Sequence, residues 1–561
     1  MKKIILLFAL SCFTYTFKLK AADGFKPVPK WVKEAVFYQI YPQSFKDTNG
    51  DGIGDINGIT EKLDYLKWLG VNAIWINPCF TSEFKDAGYD VTDFYQVAPR
   101  YGNNADLKRL FQEAKKRGMK VCLDLVAGHT SDQHPWFKES AKKTTNAYTD
   151  RYIWTNDHAV KPDAKYVTNN YERNGTYRKN FFDVQPALNY GFGNPDPNHP
   201  WEQPVTADGP VQTKKELMKI MDFWMDMGCD GFRVDMAHSL IKNDPEFTAT
   251  NQLWHEIRTR FQGKYPEGII IAEWGDPAKA VKAGFMMDFI IHLRTSAYSS
   301  LFFNKTGTYT RDTCYFSLDG NGTAKTFAQY YEKQLAAIGK DGYTCVPTSN
   351  HDFQRPNAGG RNTDEQLKVA MTFFMTLPSV PLIYYGDEIG MKFIPGLPDK
   401  EGSMLGKGNR AGSRTPMQWS TGPNAGFSSN ETGSLYLPLD PYEFRPNVES
   451  QKTDPSSLLN FTRHLLALRK SNQALGMDGA ISFWNTDEQT YPLVYQRTFG
   501  KERFVIVLNP SAKRQTTFLK TVKKIEKLVP VMVNKVNLNC TAEGLDVKTD
   551  GLAYGIFKIL D

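Results

Sequence analysis

The 561-residue chain has few cysteines, no block of like charges and no long apolar run. Its seven cysteines show no CxxC or Cys/His spacing, which argues against a disulfide framework and a zinc module. Lysine and arginine total 68 against 61 aspartate and glutamate, without a basic cluster, so we expect no nucleic-acid partner. No apolar stretch is long enough to span a bilayer, so we expect no transmembrane segment. A hydrophobic content of 41% is typical of a globular protein.

The first residues have the pattern of an export signal. Two lysines precede a mostly apolar run, Ile4–Phe17, and Ala21–Ala22 follow it. We therefore expect a signal peptide over residues 1–22 and an exported protein, either periplasmic or secreted. The residues before Cys12 resemble a bacterial lipoprotein box, so a lipid anchor at Cys12 is the alternative.

Short, β-rich apolar runs alternate with amphipathic helical patterns along most of the chain. Eight strands in such alternation predict an α/β fold, a (β/α)8 TIM barrel. The predicted strands are Val36–Tyr41, Ala73–Asn77, Lys120–Val126, Gly231–Asp235, Ile269–Trp274, Phe285–Ile291, Tyr343–Thr348 and Val380–Tyr385. The predicted helices between them include Ile59–Leu69, Ala105–Arg117, Lys214–Met227 and Thr363–Leu377.

The connection after the third strand is too long for a loop. It predicts an inserted small domain over residues 129–211, so that the barrel comprises residues 23–128 and 212–472. Beyond it, alternating apolar and polar residues predict a C-terminal antiparallel β-sandwich over residues 473–561. The strands predicted there are Ala480–Trp484, Tyr491–Arg497, Arg503–Leu508 and Leu552–Ile559.

Four acidic residues stand at the ends of predicted strands: Asp124, Asp235, Glu273 and Asp352. In such a barrel the carboxyl ends of the strands build the site. Paired carboxyl groups with pKa values pushed apart are the chemistry of glycosidic bond cleavage. Arg233 precedes Asp235 by two residues and points to the same side of the strand, where its charge would favour the ionised Asp235.

These motifs resemble the α-amylase family, glycoside hydrolase family 13, and in particular its α-glucosidase, oligo-1,6-glucosidase and trehalose synthase branch. The resemblance runs from about Glu34 to Ile559. The motifs occur in the family order, and they are DLVAGHTSDQHPWF (Asp124–Phe137), GFRVD (Gly231–Asp235), AEW (Ala272–Trp274) and NHD (Asn350–Asp352).

The resemblance implies a retaining enzyme that acts on α-glucan oligosaccharides through a glucosyl-enzyme. It implies that Asp235 is the nucleophile, Glu273 the general acid/base and Asp352 the stabiliser of the transition state, with Arg233 orienting Asp235.

The resemblance implies a sugar-binding role for three further residues. It implies that His129 and His351 hydrogen-bond hydroxyls of the sugar in the cleavage subsite. Tyr89, in DAGYDVTDF, matches the tyrosine that stacks on the same sugar ring.

Asp86 and Arg414, the latter in RTPMQW, resemble the pair that closes the far wall of the pocket in exo-acting α-glucosidases. A closed wall favours short substrates. Trehalose synthases share these motifs, and hydrolysis and transfer proceed through the same intermediate, so an isomerase or transglycosylase is the alternative. A non-catalytic α-glucan-binding protein is disfavoured because all three catalytic acids are present. The preference for 1,4 or 1,6 linkages stays open.

The segment DTNGDGIGD, Asp47–Asp55, has oxygen donors at alternate positions separated by glycines, which is typical of a loop that binds a hard cation. The resemblance implies a structural Ca²⁺ remote from the chemistry. Its ligands would be the side chains of Asp47, Asn49, Asp51 and Asp55 and the carbonyl of Ile53.

Two departures from the family pattern concern a different calcium site. Gly128 stands where the family usually has Asn, and Ala187, in QPALN, stands where an acid is usual. We therefore expect no calcium between the barrel and the inserted domain.

Overall fold

The computed structural model describes residues 25–291, 295–302, 314–397, 400, 410–430, 434–486, 491–520 and 525–560. The predicted signal peptide and Cys12 lie outside the described residues. Within the described ranges, none of the helices combines the length and apolar character that crossing a membrane requires.

Strands occur along the whole described chain and differ widely in length. They are β1 (Phe37–Ile40), β2 (Ala73–Ile76), β3 (Phe80–Ser82), β4 (Val91–Val97), β5 (Lys120–Leu125), β6 (Tyr166–Val167), β7 (Tyr177–Arg178), β8 (Gly231–Val234), β9 (Ile269–Ala272), β10 (Met287–Phe289), β11 (Tyr343–Pro347), β12 (Val380–Tyr384), β13 (Ala480–Phe483), β14 (Leu493–Phe499), β15 (Glu502–Asn509), β16 (Gln515–Lys520), β17 (Lys527–Cys540) and β18 (Gly544–Leu560).

The α-helices mostly follow the barrel strands. They are α1 (Ile56–Glu61), α2 (Leu63–Leu69), α3 (Asn104–Lys116), α4 (Pro135–Ser140), α5 (Asp208–Met227), α6 (Thr248–Lys264), α7 (Pro277–Ala283), α8 (Ala297–Phe302), α9 (Lys325–Ile338), α10 (Asp364–Thr376), α11 (Val448–Thr453) and α12 (Leu458–Ser471). Short 3-10 helices lie at Lys30–Glu34, Pro42–Ser44, Pro99–Tyr101, Asp387–Ile389, Ala411–Ser413, Pro423–Gly426 and Gln473–Leu475.

Eight parallel strands close into a barrel in the order β1, β2, β5, β8, β9, β10, β11 and β12, with β12 paired to β1. Each corresponds to one of the eight strands predicted from the sequence, so the predicted TIM barrel is confirmed. Every residue of β1, β2, β8, β9, β10 and β12 is buried. Strands covered on both faces are largely apolar, which is why their sequences show nearly continuous apolar runs, interrupted by Gln39 in β1, Arg233 in β8 and Asp288 in β10.

Three local features differ from the predictions. The predicted helix Ile59–Leu69 is two helices, α1 and α2, which meet at Lys62 with φ −94° and ψ 5°. Helix α5 begins at Asp208, six residues before the predicted Lys214. The hairpin of β3 and β4 was not predicted, and the chain between these strands carries Asp86 and Tyr89.

The C-terminal residues form the predicted antiparallel, strand-rich unit, but with more strand than predicted. The order is β13, β14, β15, β18 and β16, and β17 also pairs with β18. Strands β16 and β17 were missed, and β18 begins at Gly544 instead of Leu552. Pro530 interrupts the apolar pattern of β17, where the pairing shifts between Pro530 and Met532. A proline is accommodated in a sheet at such an irregularity.

Glu388, in the short helix after β12, ties the last barrel strand to the first. The hydroxyls of Tyr38 in β1 and Tyr65 in α2 each donate to its Oε1 at 2.7 Å. The Gly386 amide in turn donates to Tyr38 Oη at 3.2 Å. Burial raises the pKa of Glu388 to about 7, and the two phenol donors oppose this rise. The closure of the barrel therefore contains a carboxyl group that titrates near neutral pH.

We predict that Glu388→Gln weakens the pH dependence of stability. The pKa is higher in the folded state than in the unfolded state. The favourable contribution of the protonated carboxyl is therefore complete below about pH 4.5 and is lost as the pH rises through 7, a loss of about 3 kcal/mol. Gln keeps an acceptor for both tyrosines and does not titrate. Denaturant unfolding between pH 4.5 and 8 should show a smaller decline than wild type, whereas Glu543→Gln, at an exposed turn, should match wild type.

Candidate active site

The barrel brings the predicted acids to one mouth. Asp124 lies in β5, while Asp235 and Glu273 directly follow β8 and β9. Asp352 lies five residues beyond the end of β11. Because β5, β8 and β9 are neighbours in the barrel, the first three acids lie side by side.

The guanidinium of Arg233 holds three carboxylates. Its Nη1 lies 2.8 Å from Asp124 Oδ1 and 3.1 Å from Asp235 Oδ1, and its Nη2 lies 2.9 Å from Glu273 Oε2. The Asp124 side chain is fully buried, whereas those of Asp235 and Glu273 keep 9% and 10% exposure. A ligand in the barrel mouth can therefore reach Asp235 and Glu273, while Asp124 serves to fix Arg233.

Three carboxyl groups around one guanidinium leave an excess of negative charge. Burial and the Glu273 carboxylate raise the pKa of Asp235, and Arg233 opposes that rise. Burial raises the pKa of Asp124 to about 6, again against the effect of Arg233. Arg233 favours the ionised Asp235, as the sequence predicts, but burial and Glu273 outweigh this effect. The cluster thus retains a proton at higher pH than isolated carboxyl groups would.

Tyr89 and His351 form a buried polar layer beneath these acids. The Tyr89 hydroxyl lies 3.0 Å from Asp124 Oδ2 and 2.9 Å from His351 Nε2. The two rings stack with centroids 5.5 Å apart and an angle of 11°. Trp75 Nε1 also donates to Asp124 Oδ2, at 3.1 Å. These contacts orient the Tyr89 ring and supply hydrogen-bond donors to the buried Asp124 carboxyl group.

Hydrogen bonds assign the tautomer of His351. The amide nitrogens of Gln39 and Asn77 lie 3.0 and 3.2 Å from Nδ1. These amides donate, so Nδ1 accepts and the proton is on Nε2, which faces Tyr89 Oη and lies 3.5 Å from Asp352 Oδ2. Burial lowers the pKa of His351 to about 3, so the ring is neutral at physiological pH.

His129 is engaged by the protein on both sides. Its Nε2 lies 3.1 Å from the carbonyl of Tyr89 and its Nδ1 lies 3.1 Å from Asn180 Nδ2. Burial lowers the pKa of His129 to about 3. The predicted bond to a sugar hydroxyl would require this ring to give up one contact, so its sugar-binding role stays a prediction.

A lysine fills the contact between the barrel and residues of the predicted inserted domain. Lys242 Nζ donates to Asn180 Oδ1 at 2.9 Å and to the carbonyl of Ser239. Ala187 is buried and pairs through its backbone with His129. The expectation that calcium is not needed at this contact stays a prediction.

Asp86 forms one wall of the mouth. Gln185 Nε2 donates to its Oδ2 at 2.7 Å, and Arg410 Nη1 lies 3.8 Å from its Oδ1. The same Arg410 nitrogen lies 3.1 Å from Asp352 Oδ1. Arg414 also reaches Asp352, with Nη2 at 3.5 Å, and its Nε donates to the carbonyl of His351 at 2.8 Å. The cation that bridges Asp86 and Asp352 is thus Arg410.

Strained backbone accompanies two of these acids. Ala87, which follows Asp86, has φ 53°, and Met236, which follows Asp235, has φ 41°. Left-handed conformations of non-glycine residues cost about 1–3 kcal/mol and cluster at functional sites. The Met236 amide donates to Glu273 Oε2 at 2.9 Å, so this turn directs a donor onto a site carboxylate.

Four residues of the site were not predicted from the sequence: Arg410, Gln39, Asn77 and Trp75. Arg410 precedes the recognised RTPMQW segment by four residues, and this spacing was its only signal. The other three lie in or directly after β1 and β2, where a polar or amphipathic side chain at a strand end gives weak evidence by itself.

The loop of residues 47–55 is closed by its own carboxylates. Asp47 Oδ1 accepts from the amides of Asn49 and Gly50, at 3.0 and 2.7 Å. Asp55 Oδ1 accepts from the Gly58 amide at 2.8 Å, and Asp51 Oδ1 accepts from the Ile53 amide at 2.8 Å. Throughout the described part of the chain, no three His, Cys, Asp or Glu side chains converge as a metal centre.

The fold and the site together define a class of protein: a barrel enzyme with a pocket of clustered carboxyl groups at the carboxyl ends of its strands. Residues 39–478 match the α-amylase catalytic domain. The chain belongs to this family, glycoside hydrolase family 13.

Two curated relatives illustrate the range of the family. The trehalose synthase/amylase TreS of Mycolicibacterium smegmatis is 32% identical over 494 residues, which cover 80% of this chain and 77% of the relative. The oligo-1,6-glucosidase of Parageobacillus thermoglucosidasius is 31% identical over 545 residues, which cover 86% and 91%. Among solved structures, an isomaltulose synthase variant from Erwinia rhapontici NX5, in complex with sucrose, superposes with a TM-score of 0.79 at 26% identity, covering 96% of this chain and 100% of that one.

We predict that Gly128→Ala destabilises the site. A Cβ atom at Gly128 would lie 2.8 Å from Asn180 Nδ2 and 3.3 Å from Ser239 Oγ. Asn180 cannot move without losing its bonds to His129 and Lys242, so we expect a loss of about 1–3 kcal/mol in the free energy of unfolding, measured with denaturant. Gly263→Ala, in α6 with no atom within 4 Å of the new Cβ, is the control and should be neutral or stabilising. Unchanged stability of the Gly128 variant would contradict the contact.

Proposed function

We propose that this protein is a retaining α-glucosidase that hydrolyses short malto- or isomalto-oligosaccharides. The observation that carries the proposal is the shared contact of Asp235 and Glu273 with one guanidinium. A retaining mechanism needs two carboxyl groups about 5–5.5 Å apart. Contact with neighbouring nitrogens of Arg233 supports such a short separation, and the remaining exposure of both side chains supports access by a sugar.

In the proposed first step, Glu273 protonates the glycosidic oxygen as Asp235 attacks the anomeric carbon. The C–O bond breaks and a covalent glucosyl-enzyme forms. Glu273 then removes a proton from water, which attacks the anomeric carbon and releases Asp235. The cycle requires Glu273 to be protonated and Asp235 to be ionised at the start.

Asp352 would bind the 2- and 3-hydroxyls of the same sugar. Its Oδ1 lies near the guanidinium groups of Arg410 and Arg414, which favour its ionised form. Such contacts strengthen as positive charge develops on the ring, so they lower the barrel enzyme's transition state more than its ground state.

Short substrates are proposed because charged side chains that contact one another would close the wall beyond this sugar. Arg410 joins Asp86 to Asp352, and Gln185 approaches Asp86 from the other side. Asp86 Oδ1 has no hydrogen-bond partner among the described residues, although it is buried. A sugar hydroxyl at the non-reducing end would supply one. A long chain could not continue past this wall.

Isomerisation is the second candidate, and the relationship to the trehalose synthase/amylase of M. smegmatis favours it. The same glucosyl-enzyme would form, and the released glucose would attack in place of water. The acceptor side of the pocket would then have to retain glucose and exclude water.

The product made from maltose tests the proposal. Hydrolysis predicts glucose as the main product, whereas isomerisation predicts trehalose with little glucose. Parallel assays with isomaltose, sucrose and soluble starch define the linkage and length preference, and starch should be the poorest substrate. Asp235→Asn should reduce kcat/KM by about 10⁴-fold or more with unchanged thermal unfolding.

Asp183→Asn is a matched control, because Asp183 is an exposed acid that pairs with Lys179. It should retain wild-type activity. Near wild-type turnover by the Asp235 variant would contradict the assignment of Asp235 as nucleophile. Trehalose as the main product would show that the protein is an isomerase and not a hydrolase.

We further propose that the loop of residues 47–55 binds a structural Ca²⁺. Its donors are all oxygens, as calcium prefers, and each Asp51 carboxylate oxygen accepts a single hydrogen bond and so keeps a further lone pair. The ligands would be Asp47, Asn49, Asp51 and Asp55, with the carbonyl of Ile53. Asp47 also accepts from Ser428 at 2.6 Å, so an ion there would stiffen the contact with that distant segment.

Chelation tests the calcium proposal. Thermal unfolding in EDTA should occur several degrees below unfolding in excess Ca²⁺, because binding to the folded state alone stabilises it by about 3 kcal/mol at 100 times Kd. Asp51→Asn should lose much of this difference, whereas Asp64→Asn, at an exposed acid outside the loop, should keep it. Identical unfolding temperatures in EDTA and in Ca²⁺ would exclude the ion.

A further inference from the structure

A buried carboxylate that takes no part in the proposed cycle lies next to Glu273. Asp288 is in β10, is fully buried, and pairs in register with Ala272, the residue before Glu273. Its Oδ1 accepts from the amides of Trp274 and Gly275 at 2.9 and 3.4 Å, and its Oδ2 accepts from the Asp276 amide at 2.9 Å. One side chain thus receives the three successive amides that follow Glu273.

These amides need a partner from outside β9. The strand ends at Ala272, and the chain turns at Gly275, whose φ is 75°. Buried amides without an acceptor cost about 1–3 kcal/mol each, so the carboxylate stabilises this turn. Because the Trp274 amide belongs to the peptide bond with Glu273, its fixed orientation also fixes the direction in which the Glu273 side chain leaves the backbone.

The same turn is held from the other side by α9. Gln334 Oε1 accepts from the Ala278 amide at 2.7 Å, and its Nε2 donates to Asp276 Oδ1 at 3.3 Å. The Tyr330 hydroxyl donates to the Gly275 carbonyl at 3.3 Å. The turn after Glu273 is therefore held by Asp288 on its buried side and by Gln334 and Tyr330 of α9 on its other side.

We propose that Asp288 is a positioning residue for Glu273, which it holds through the backbone at the distance that proton transfer requires. The inference rests on the proposed role of Glu273 as general acid/base. A displacement of about 1 Å in a reacting group reduces the rate by about 100-fold. The loss should fall on the steps in which Glu273 transfers a proton and should spare the attack by Asp235.

Two substrates separate these steps. Departure of the glucose leaving group from maltose requires a proton, whereas fluoride leaves α-glucosyl fluoride with the bonding electron pair and needs little help from an acid. Because kcat/KM reports the steps up to formation of the glucosyl-enzyme, it isolates the acid step. Asp288→Asn keeps an acceptor for Trp274 and Gly275 but presents an NH₂ group to the Asp276 amide. We expect kcat/KM to fall about 100-fold for maltose and less than about 5-fold for the fluoride.

Asp387→Asn is the matched control. Asp387 is also a buried aspartate just beyond a barrel strand, and it accepts from Thr348, Ser349 and Arg355 at 2.5–2.8 Å. Those donors belong to the segment around Asp352, which acts on every substrate. Any loss in this variant should therefore be the same for maltose and for the fluoride.

Glu273→Gln separates this inference from the proposed function. It should show a larger maltose-specific loss than Asp288→Asn. If it does and Asp288→Asn slows both substrates equally, the positioning role is overturned while the acid assignment stands. If Glu273→Gln shows no such difference, the proposed function itself fails.

A second variant covers the case in which Asp288→Asn does not fold. Tyr330→Phe removes only the outer bond to Gly275 and leaves the buried contacts in place. It should show the same maltose-specific loss, at about 3-fold, with unchanged thermal unfolding. If Asp288→Asn does not fold and Tyr330→Phe lowers kcat/KM equally for maltose and for the fluoride, the proposal is overturned.

Discussion

The contact between Arg233 and three carboxyl groups is the interaction on which the rest of the site depends. A guanidinium without partners would be unstable at this depth, and so would three carboxylates without a cation. Asp124 shares the charge of Arg233 without contact with solvent, while Asp235 and Glu273 share it at the edge of the mouth. Burial and the neighbouring carboxyl groups then raise the pKa of Asp235 against the effect of Arg233.

The buried charges around Arg233 require many hydrogen-bond partners, and the surrounding residues supply them. Asp124 also accepts from Trp75 and Tyr89, and Tyr89 packs on a neutral His351. Behind the acids, Asp288 receives the amides that follow Glu273. Each of these groups is buried and lies on a different strand or loop, so the closed barrel is what keeps them together. A site built in this way has little freedom to adapt, and specificity must come from its walls.

The walls come from segments that are far apart in the chain. Asp86 follows the hairpin strand β3, Gln185 comes from the long connection after β5, and Arg410 comes from the connection after β12. Together they lie on the side beyond the proposed cleavage subsite. In the proposed mechanism the acceptor enters from the opposite side, where water or a retained sugar would decide between hydrolysis and isomerisation. The curated relatives include both a trehalose synthase/amylase and an oligo-1,6-glucosidase.

The barrel could be predicted because its strands are buried on both faces and leave a continuous apolar signal. The acids at the strand ends followed from that assignment, together with motifs in a fixed order. Strands β16 and β17 gave no such signal, because they have exposed faces and β17 contains Pro530. The side-chain amides that contact His351 could not be predicted from the sequence either, since Gln39 and Asn77 are single polar residues in or just after strands.

The sequence by itself thus determined the barrel, the family and which acids meet at the barrel mouth, because these depend on local patterns and on short motifs. The tertiary structure alone decided that Arg410 bridges Asp86 and Asp352, that both nitrogens of His129 are occupied, and that burial outweighs Arg233 in setting the protonation of Asp235. These properties arise from distances and from exclusion of water in the folded chain, which no local pattern records.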